Sequence, residues 1–279
     1  MQISQIISRS FLSRLDAEVL LAHILDKPRE WLFTHSDSEV SMSKLAKFHE
    51  FEEKRTAGKS VAAIIGQKEF FGLDFFVDEN VLIPRPETEI LVEEVINTLT
   101  HHLSGGLTKN VNLLDVGTGS GAIAIAVKKN LPACRVAASD ISKEALAVAR
   151  KNAVNIGVEV EFIESDLLGE ISGKFDVLAA NLPYVPEGST EIQKSVADFE
   201  PRKALFAGVD GLDLIRKLLL QIAELPKRPK FVLLEFGGGE QVEVLKKLAE
   251  ELLPASKIEF IRDLAGHRRV LKLSGLQGL

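Results

Sequence analysis

The first 66 residues alternate apolar and polar positions with the period of an α-helix. The run Ser13-Arg14-Leu15-Asp16 has capping-box spacing and predicts where one helix begins, and a second helix is predicted from about Ser43 to Thr56. Trp31-Leu32-Phe33 adds an apolar run for a core. The pattern therefore predicts a small helical domain over residues 1–68. The positions assigned to the buried helix faces are Leu12, Leu15, Val19 and Ala22 in the first helix and Met42, Leu45 and Phe48 in the second.

Between residues 69 and 86 the period changes to that of short strands. Two strands are predicted on either side of Asp78-Glu79-Asn80, a polar triplet typical of a turn. We therefore expect a hairpin that links the helical domain to a larger domain over residues 87–279. Glu87-Thr88 can open the first helix of that domain, predicted from Ile90 to about Leu99.

From residue 111 onward, predicted strands and helices alternate, which is typical of an α/β fold with a parallel sheet covered by helices. The predicted strands are Val111–Val116, Arg135–Ala138, Val160–Ile163, Phe175–Ala180 and Phe231–Phe236, with two terminal strands, Lys257–Arg262 and Arg269–Leu273. The predicted helices are Ala122–Lys129, Lys143–Asn155, Leu212–Ala223 and Glu240–Glu251.

Composition and charge narrow the class of protein. The 279 residues are 46% hydrophobic and 27% charged, as in ordinary globular proteins. No stretch approaches the ~18 consecutive apolar residues of a membrane helix, and the start resembles no secretory leader, so we expect a cytoplasmic protein. Cys134 is the single cysteine, and the six histidines show no metal-ligand spacing, which argues against a disulfide framework and a metal site. The net charge of −6 disfavours tight binding to bare nucleic acid.

A glycine-rich turn is the first chemical signal. After the strand that ends at Val116 comes Gly117-Thr118-Gly119-Ser120-Gly121, followed by a predicted helix. Glycines permit positive φ and close approach of a ligand, and the N-terminus of a helix offers unpaired N–H groups. This arrangement suits a nucleotide-like cofactor. The same run also satisfies the looser dinucleotide pattern, so NAD and S-adenosylmethionine (SAM) both stay open on this evidence.

Acidic residues refine the choice of cofactor. Asp140 ends the second strand, 19 positions after Gly121, where a carboxylate can accept hydrogen bonds from the ribose hydroxyls of either cofactor. Asp115 favours SAM, because a carboxylate there would repel a pyrophosphate but tolerate an ammonium and a sulfonium. The alternative is that Asp115 binds the amides of its own turn. Asp166 is a candidate acceptor for an adenine amino group, and Leu167 is a candidate to cover the ring.

The loop Asn181-Leu182-Pro183-Tyr184 follows the fourth strand of the predicted sheet. Ligands of open α/β sheets bind beyond the carboxyl ends of the strands, so this loop should face the same crevice as the glycine turn. The Asn181 side-chain oxygen and the Leu182 carbonyl can each accept one N–H of an NH₂ group. Pro183 favours an extended Leu182, and Tyr184 can stack on a planar group. The loop therefore suits methyl transfer to a planar nitrogen, without a nucleophile or a metal.

Further segments carry a resemblance to a known family. They are Gly66 to Leu73, Val81 to Glu89, Phe199 to Leu205, Asp210-Gly211-Leu212 and Asp263 to Val270. With the two loops, the sequence resembles the HemK/PrmC family, the N5-glutamine methyltransferases that modify peptide chain release factors, from about Asp16 to Leu273. The stretch Ile83 to Glu89 is the most specific, because generic SAM enzymes have no need of it.

The resemblance implies a Rossmann-like class I SAM-dependent methyltransferase domain and a helical domain that docks a release factor. By position, Gly117 to Gly121, Asp140 and Asn181 would hold SAM, and Asn181 to Tyr184 would hold the glutamine of the Gly-Gly-Gln motif. A monomer with no nucleic-acid or membrane partner is expected. The family usually has an aromatic residue at Leu167 and proline at Leu182. We therefore expect weaker stacking on adenine and, because leucine has a freer φ, a more mobile unbound loop.

Other functions fit part of the pattern. An NAD-dependent oxidoreductase explains the glycine turn and Asp140 but gives Asn181–Tyr184 no role. An adenine-N6 nucleic-acid methyltransferase uses a similar loop on an exocyclic amine, but it needs a nucleic-acid-binding surface that the acidic N-terminal part does not favour. A non-catalytic binding module would keep only the fold.

Three polar residues and two glycine-containing runs have less specific roles. Arg85, Glu87 and Glu200 are predicted either to contact the substrate site or to pair with one another at the domain junction. Leu234 to Glu240 and Gly105-Gly106 are predicted to be turns rather than sites, because a strand-to-helix connection needs such residues.

Overall fold

A computed structural model describes residues 1–103, 111–189 and 199–276. The described residues form two compact units. One contains Met1–Gln67 with Phe199, and the other contains the remaining described residues. Within these described ranges, every helix is too short or too polar to cross a membrane. Gly105-Gly106 lies outside the described residues, so its predicted turn stays a prediction.

The first unit is helical, as predicted. Its helices are α1 (Ile3–Arg9), α2 (Arg14–Leu25), α3 (Arg29–Thr34), α4 (Met42–Thr56) and α5 (Val61–Ile65). The predicted start of α2 is confirmed, because the Ser13 hydroxyl accepts a hydrogen bond from the Asp16 amide at 3.1 Å. The predicted second helix is α4, which begins at Met42 rather than at Ser43.

The predicted apolar faces of these helices are partly wrong. Leu15 is 53% exposed and Met42 is 77% exposed, although Leu45 and Phe48 are buried as predicted. Trp31 is half-buried beside a buried Leu32. Apolar residues surround much of α2, so the spacing alone does not select the face that packs. The side chains of α2 that are buried in the core are Ala17, Leu20, Leu21, Ala22 and Ile24.

The predicted hairpin is present, but its turn lies elsewhere. Strands β1 (Gln67–Phe70) and β2 (Leu73–Phe76) are joined at Phe71-Gly72, and Asp78-Glu79-Asn80 follows both strands. Phe71 and Gly72 have φ of +53° and +71°. A two-residue hairpin turn with positive φ at both positions matches the twist of its strands, and glycine adopts that conformation without strain. The turn signal was therefore Gly72 and not the acidic triplet.

The second unit is built on a seven-stranded sheet of order β5-β4-β3-β6-β7-β9-β8. The strands β3 to β7 pair in parallel, whereas β9 is antiparallel to both β7 and β8. This confirms the predicted α/β fold with a mainly parallel sheet. The strands are β3 (Asn112–Val116), β4 (Arg135–Asp140), β5 (Glu161–Glu164), β6 (Val177–Ala180), β7 (Phe231–Glu235), β8 (Lys257–Arg262) and β9 (Arg268–Ser274).

Helices cover both faces of the sheet. They are α6 (Thr88–Asn97), α7 (Ala122–Asn130), α8 (Lys143–Ile156), α9 (Asp213–Glu224) and α10 (Gln241–Leu252). Alternate residues of one strand enter different cores: Leu113 packs with residues of α6 and α7, and Leu114 packs with residues of α9 and α10. A strand buried on both faces needs continuous apolar sequence, which explains why these strands were predicted within a few residues.

Asn152 of α8 connects the hairpin to the glycine turn. Its side chain is fully buried. The Nδ2 group donates to the main-chain oxygens of Phe76 at 3.0 Å and Ser120 at 2.9 Å, and Oδ1 accepts from the Phe76 amide at 2.8 Å. Three bonds from one buried amide therefore hold β2 and the turn against α8.

Replacing Asn152 with alanine should lower the free energy of unfolding by about 2–4 kcal/mol, because buried backbone groups lose their partners. Chemical denaturation measures this change. Asn155→Ala, at an exposed position of the same helix, is the matched control and should change the free energy by less than about 0.5 kcal/mol. Similar losses in the two variants would argue that the three hydrogen bonds contribute little.

Candidate functional site

The site lies at the carboxyl ends of β3 and β6, which are neighbours in the sheet. Val116 pairs with Ala180 at the last position of the two strands. Gly117 and Asn181 therefore begin their loops side by side, as the predicted shared crevice required. The chain leaves β3 toward β4 on one side and later returns to place β6 on the other, so this is also the point where the strand order reverses.

The three glycines of the turn all have positive φ, and each meets a different environment. A Cβ at Gly121 would lie 2.7 Å from Ile125 Cδ1 and 3.2 Å from Ala149 Cβ, so this glycine allows α7 and α8 to approach. A Cβ at Gly117 would lie 2.7 Å from Leu182 Cδ2. A Cβ at Gly119 would meet no described atom within 4 Å. The space for a ligand therefore opens above Gly119.

The amides of the turn are largely occupied by the protein itself. Gly117 N and Thr118 N donate to the Ser139 carbonyl at 2.8 and 2.9 Å. Gly119 N donates to Asp140 Oδ2 at 2.9 Å, and Gly121 N donates to the Thr118 carbonyl at 2.8 Å. These four N–H groups are not free to bind phosphate, which favours a ligand without a pyrophosphate at the turn. The expected unpaired donors at the N-terminus of the following helix stay a prediction.

Asp115 is fully buried at the base of the turn. Its Oδ2 accepts hydrogen bonds from the Thr118 hydroxyl at 2.6 Å and from the Ala124 amide at 3.2 Å. Asp115 therefore makes local hydrogen bonds, to a hydroxyl and a helix amide rather than to the amides of the turn, and its predicted effect on the choice of cofactor stays a prediction. Its Oδ1 is buried without a hydrogen-bond partner among the described residues. Burial raises the pKa of Asp115 to about 7, so about half of this group is protonated near pH 7.

Asp140 ends β4 and faces the turn. Its Oδ2 accepts from the Gly119 amide and its Oδ1 accepts from the Ser142 amide, both at 2.9 Å. Burial raises the pKa of Asp140, and the two amides act against that shift. A carboxylate oxygen that accepts one hydrogen bond keeps capacity for a second donor, such as a hydroxyl. The next residue, Ile141, is 67% exposed, an apolar surface that the sequence analysis did not single out.

Asp166 and Leu167 follow β5. The Asp166 carboxylate lies 2.5 Å from the ammonium of Lys217, and about half of each side chain is exposed. Leu167 is 7% exposed and belongs to the core that includes α9, and its φ is +53°. Little of the leucine side chain is therefore presented to solvent. The predicted contacts of both residues with adenine stay predictions.

Asn181 is oriented by Thr88, for which the sequence pattern predicts only the start of a helix. Its Nδ2 donates to the Thr88 hydroxyl oxygen at 2.9 Å. Thr88 is 4% exposed at the first turn of α6. With the amide nitrogen turned toward Thr88, the Asn181 oxygen is the end left for an incoming N–H donor. The available signal was Thr88 itself, which lies inside the distinctive stretch Ile83 to Glu89.

Leu182 anchors the loop by packing. Its side chain is 4% exposed and fills the space beside Gly117. Pro183, which follows, is half-buried. Leucine thus supplies through side-chain contacts part of the restraint that proline would supply through its fixed φ. The expected greater mobility of this loop stays a prediction.

Tyr184 is bound at both ends of the residue. Its hydroxyl donates to Glu235 Oε1 at 3.2 Å, and its main-chain oxygen accepts from Gln241 Nε2 at 2.8 Å. Burial, with Glu235 next in importance, raises the pKa of Tyr184 well above its usual range. The segment Leu234 to Glu240 is a strand-to-helix connection, as predicted, but Glu235 within it belongs to the site. An acidic residue at the carboxyl end of an apolar strand was the missed signal.

Of the three polar residues predicted to contact the substrate site or to pair with one another, two form an ion pair. Arg85 Nη2 lies 2.6 Å from Glu200 Oε1, and the Ile83 amide donates to Glu200 Oε2 at 3.1 Å. The pairing alternative is thus confirmed for Arg85 and Glu200, whereas Glu87 is exposed at the N-cap of α6. Within the described ranges, no group of three or more histidine, cysteine and acidic side chains is placed to hold a metal ion.

Known proteins similar to this chain are methyltransferases. The sequence profile described as Methyltransferase small domain matches residues 88–199, and that described as PrmC N-terminal domain matches residues 4–66. The chain is 40% identical over 272 residues to the release factor glutamine methyltransferase of Rhodopirellula baltica, covering 93% of this chain and 88% of that protein. It is 34% identical over 279 residues to the Shewanella oneidensis protein of the same name, covering 99% and 94%.

Solved structures of other proteins are similar to this chain in fold. The human methyltransferase 10 domain containing protein superposes with a TM-score of 0.54 at 18% identity, over 84% of this chain and 99% of that chain. At this identity the likeness concerns the fold alone. It agrees with the predicted class I methyltransferase architecture.

The buried Asp115 predicts a specific pH dependence of stability. Its pKa is raised from 3.8 to about 7 in the folded protein, so folding retains a proton that the unfolded chain releases above pH 4. The contribution of Asp115 to stability is therefore fully present below that pH and is lost as the pH rises toward 7. Relative to Asp115→Asn, the free energy of unfolding of the wild type should fall by about 2–4 kcal/mol between pH 4 and 7.

Denaturant titrations of both proteins across this pH range give the measurement. Glu235 also has a raised pKa, but it titrates in both proteins, so the difference isolates Asp115. In Asp115→Asn, the new amide oxygen can replace Oδ2 as acceptor. If the free energies of unfolding of the two proteins change in parallel from pH 4 to 7, the pKa of Asp115 is not raised.

Proposed function

Because the chain belongs to the HemK/PrmC family of release factor glutamine methyltransferases, we propose that it methylates the side-chain amide nitrogen (N5) of a glutamine, that of the Gly-Gly-Gln motif in a peptide chain release factor. The methyl donor is SAM. The observation that carries the proposal is the Asn181 amide, which Thr88 turns so that its oxygen is available beside the open glycine turn. An acceptor fixed in this way suits a substrate that presents an NH₂ group.

The residues present fit SAM better than a dinucleotide. The space above Gly119 is open, four amides of the turn are occupied by the protein itself, and the Asp140 carboxylate beside Gly119 would disfavour a pyrophosphate. Asp140 has remaining acceptor capacity for ribose hydroxyls, and the exposed Ile141 next to it offers an apolar surface for adenine. When bound, SAM supplies an electrophilic methyl group on its sulfonium. These features disfavour the NAD-dependent oxidoreductase alternative.

The loop residues position the amide rather than react with it. The Asn181 side-chain oxygen and the Leu182 carbonyl each accept one N–H of the glutamine amide, which fixes the amide plane and with it the direction of the nitrogen lone pair perpendicular to that plane. Tyr184 packs against the planar group. Positioning of this kind lowers a barrier by up to about 7–11 kcal/mol. The methylated nitrogen is acidic and releases its extra proton to water, so the loop needs no strong base.

The helical unit docks the protein substrate. The PrmC N-terminal domain profile covers residues 4–66. Between α1 and α2 the unit presents Phe11, which is 92% exposed although its amide donates to the buried Glu52 carboxylate at 2.9 Å. A large apolar side chain held on a fixed backbone is a good contact for a partner, because little entropy is lost on binding.

Replacing Asn181 with alanine should reduce the turnover number by about 10²–10⁴-fold, while the SAM dissociation constant stays within about threefold. The substitution removes one of the two amide acceptors and leaves the glycine turn intact. Radiolabelled SAM with a purified release factor, followed by mass spectrometry of the Gly-Gly-Gln peptide, measures transfer. Calorimetry measures SAM binding. The control is Asn80→Ala, an exposed asparagine, which should behave as the wild type.

Two outcomes would count against this proposal. Unchanged transfer by Asn181→Ala would show that the amide is held elsewhere. Methyl transfer to adenine in a nucleic acid at the rate seen with the release factor would favour the adenine-N6 alternative.

Phe11→Ser should raise the KM for the intact release factor by about 3–30-fold, because a buried aromatic contact is lost on docking. The turnover number and the activity on a short Gly-Gly-Gln peptide should not change. Steady-state kinetics with both substrates measures the difference. Val154→Ser, an exposed apolar residue of the other unit, is the control. Equal KM values for wild type and Phe11→Ser on the intact protein would place the docking surface elsewhere.

A further inference from the structure

Tyr184 is held by two side chains that lie outside the loop motif. Glu235 is the last residue of β7, and Gln241 is the first residue of α10. They are 51 and 57 positions from Tyr184 in the sequence. One binds the phenol hydroxyl and the other binds the main-chain oxygen of the same residue. Tyr184 is therefore fixed at the tip of its ring and at its backbone.

Gln241 uses its whole side-chain amide for this purpose. Its Nε2 donates to the main-chain oxygens of Tyr184 at 2.8 Å and Asp210 at 2.9 Å, and its Oε1 accepts from the Gly237 amide at 2.9 Å. The neighbourhood is tightly packed, because a Cβ at Gly211 would lie 2.2 Å from the Tyr184 carbonyl oxygen. The backbone end of Tyr184 consequently has little freedom to move.

Glu235 holds the other end from a buried position. It is 1% exposed, its Oε1 accepts from the Tyr184 hydroxyl, and its Oε2 is buried without a hydrogen-bond partner among the described residues. Burial raises the pKa of Glu235 to about 7. The hydroxyls of Thr88 and Tyr184 and the cation of Arg269 favour the ionised form, whereas Glu87 disfavours it. Burying a carboxyl group with one oxygen unpaired costs free energy, because the group loses its hydration. Glu235 therefore has a role other than packing.

We propose that Glu235 is a positioning residue for the loop Asn181 to Tyr184, here called the amide-binding loop, and that it acts through the Tyr184 hydroxyl. This inference rests on the proposed function. Leu182 lies between Asn181, which Thr88 orients, and Tyr184, which Glu235 and Gln241 hold. The direction of the Leu182 carbonyl, the second acceptor for the substrate amide, is set by these fixed flanks. A displacement of about 1 Å at such an acceptor can cost about 10²-fold in rate.

The kinetic test compares variants at both ends of the contact. Glu235→Leu and Tyr184→Phe should each lower the turnover number about 10–100-fold, with KM for SAM within about twofold of the wild type. The double variant should be no slower than the slower single variant, because both changes remove the same contact. Glu235→Gln keeps an acceptor of the same size and should restore the turnover number to within about threefold of the wild type. Glu250→Leu, at an exposed position of α10, is the matched control.

A spectroscopic test does not depend on activity. Tyr184 is the only tyrosine of the chain, so labelling tyrosine with ¹³C at Cζ gives one NMR resonance, and Tyr184→Phe removes it. Because the shift of this carbon reports the hydrogen bond of the phenol, Glu235→Leu should move the resonance, and Glu250→Leu should not.

The two tests separate the possible failures. If the Tyr184 resonance does not move in Glu235→Leu, or if the kinetic effects of the single variants add in the double variant, the positioning role is overturned. If Glu235→Leu does not fold, Glu235→Gln and Tyr184→Phe still decide, since a merely structural Glu235 would leave the turnover number of folded Tyr184→Phe unchanged. A wild-type chain that methylates no release factor would contradict the proposed function, while the resonance would still report on the Glu235 contact.

Discussion

The parallel pairing of β3 with β6 is the constraint on which the candidate site depends. The pairs run from Leu113 with Val177 to Val116 with Ala180, so the two strands end level. Neighbouring strands lie about 4.8 Å apart, and the glycine turn and the amide-binding loop must therefore leave the sheet in direct contact. A shift of one residue in this register would turn every side chain of the strand to the opposite face. The apolar residues that fill both cores thus also hold the two functional loops together.

Much of this arrangement was predictable, for reasons that particular residues show. Strands buried on both faces require apolar runs, and glycine and proline mark loops whose backbone needs them, so β3, β6 and both loops were recognised from local sequence. The contacts of Glu235 and Gln241 with Tyr184 were not, because they join segments that only the strand order brings together. The prediction of the buried face of α2 was wrong for a different reason, because the helix carries apolar residues on several sides.

Buried acidic residues of the described chain fall into two classes. Glu18, Glu52 and Glu200 each have partners for the carboxylate, such as Arg85 and the Ile83 amide for Glu200. Asp115 and Glu235, at the carboxyl ends of β3 and β7, each keep one oxygen without a hydrogen bond among the described residues. An unsatisfied buried acceptor costs about 1–3 kcal/mol. The unpaired oxygens of Asp115 and Glu235 thus lower the stability of the fold at this edge of the sheet, as expected where residues serve the binding of a ligand.

Leu182 shows how a loop can depart from the usual motif and keep its geometry. Proline would restrict φ at this position but would not extend as far toward the glycine turn. The leucine side chain reaches to within 2.7 Å of where a Cβ of residue 117 would stand, so it occupies the space that glycine leaves. The restraint on the loop therefore changes from a covalent ring to a contact between the two loops. Leu182 is packed against Gly117, so the residue that carries the proposed second amide acceptor is placed directly by the turn of the proposed cofactor site.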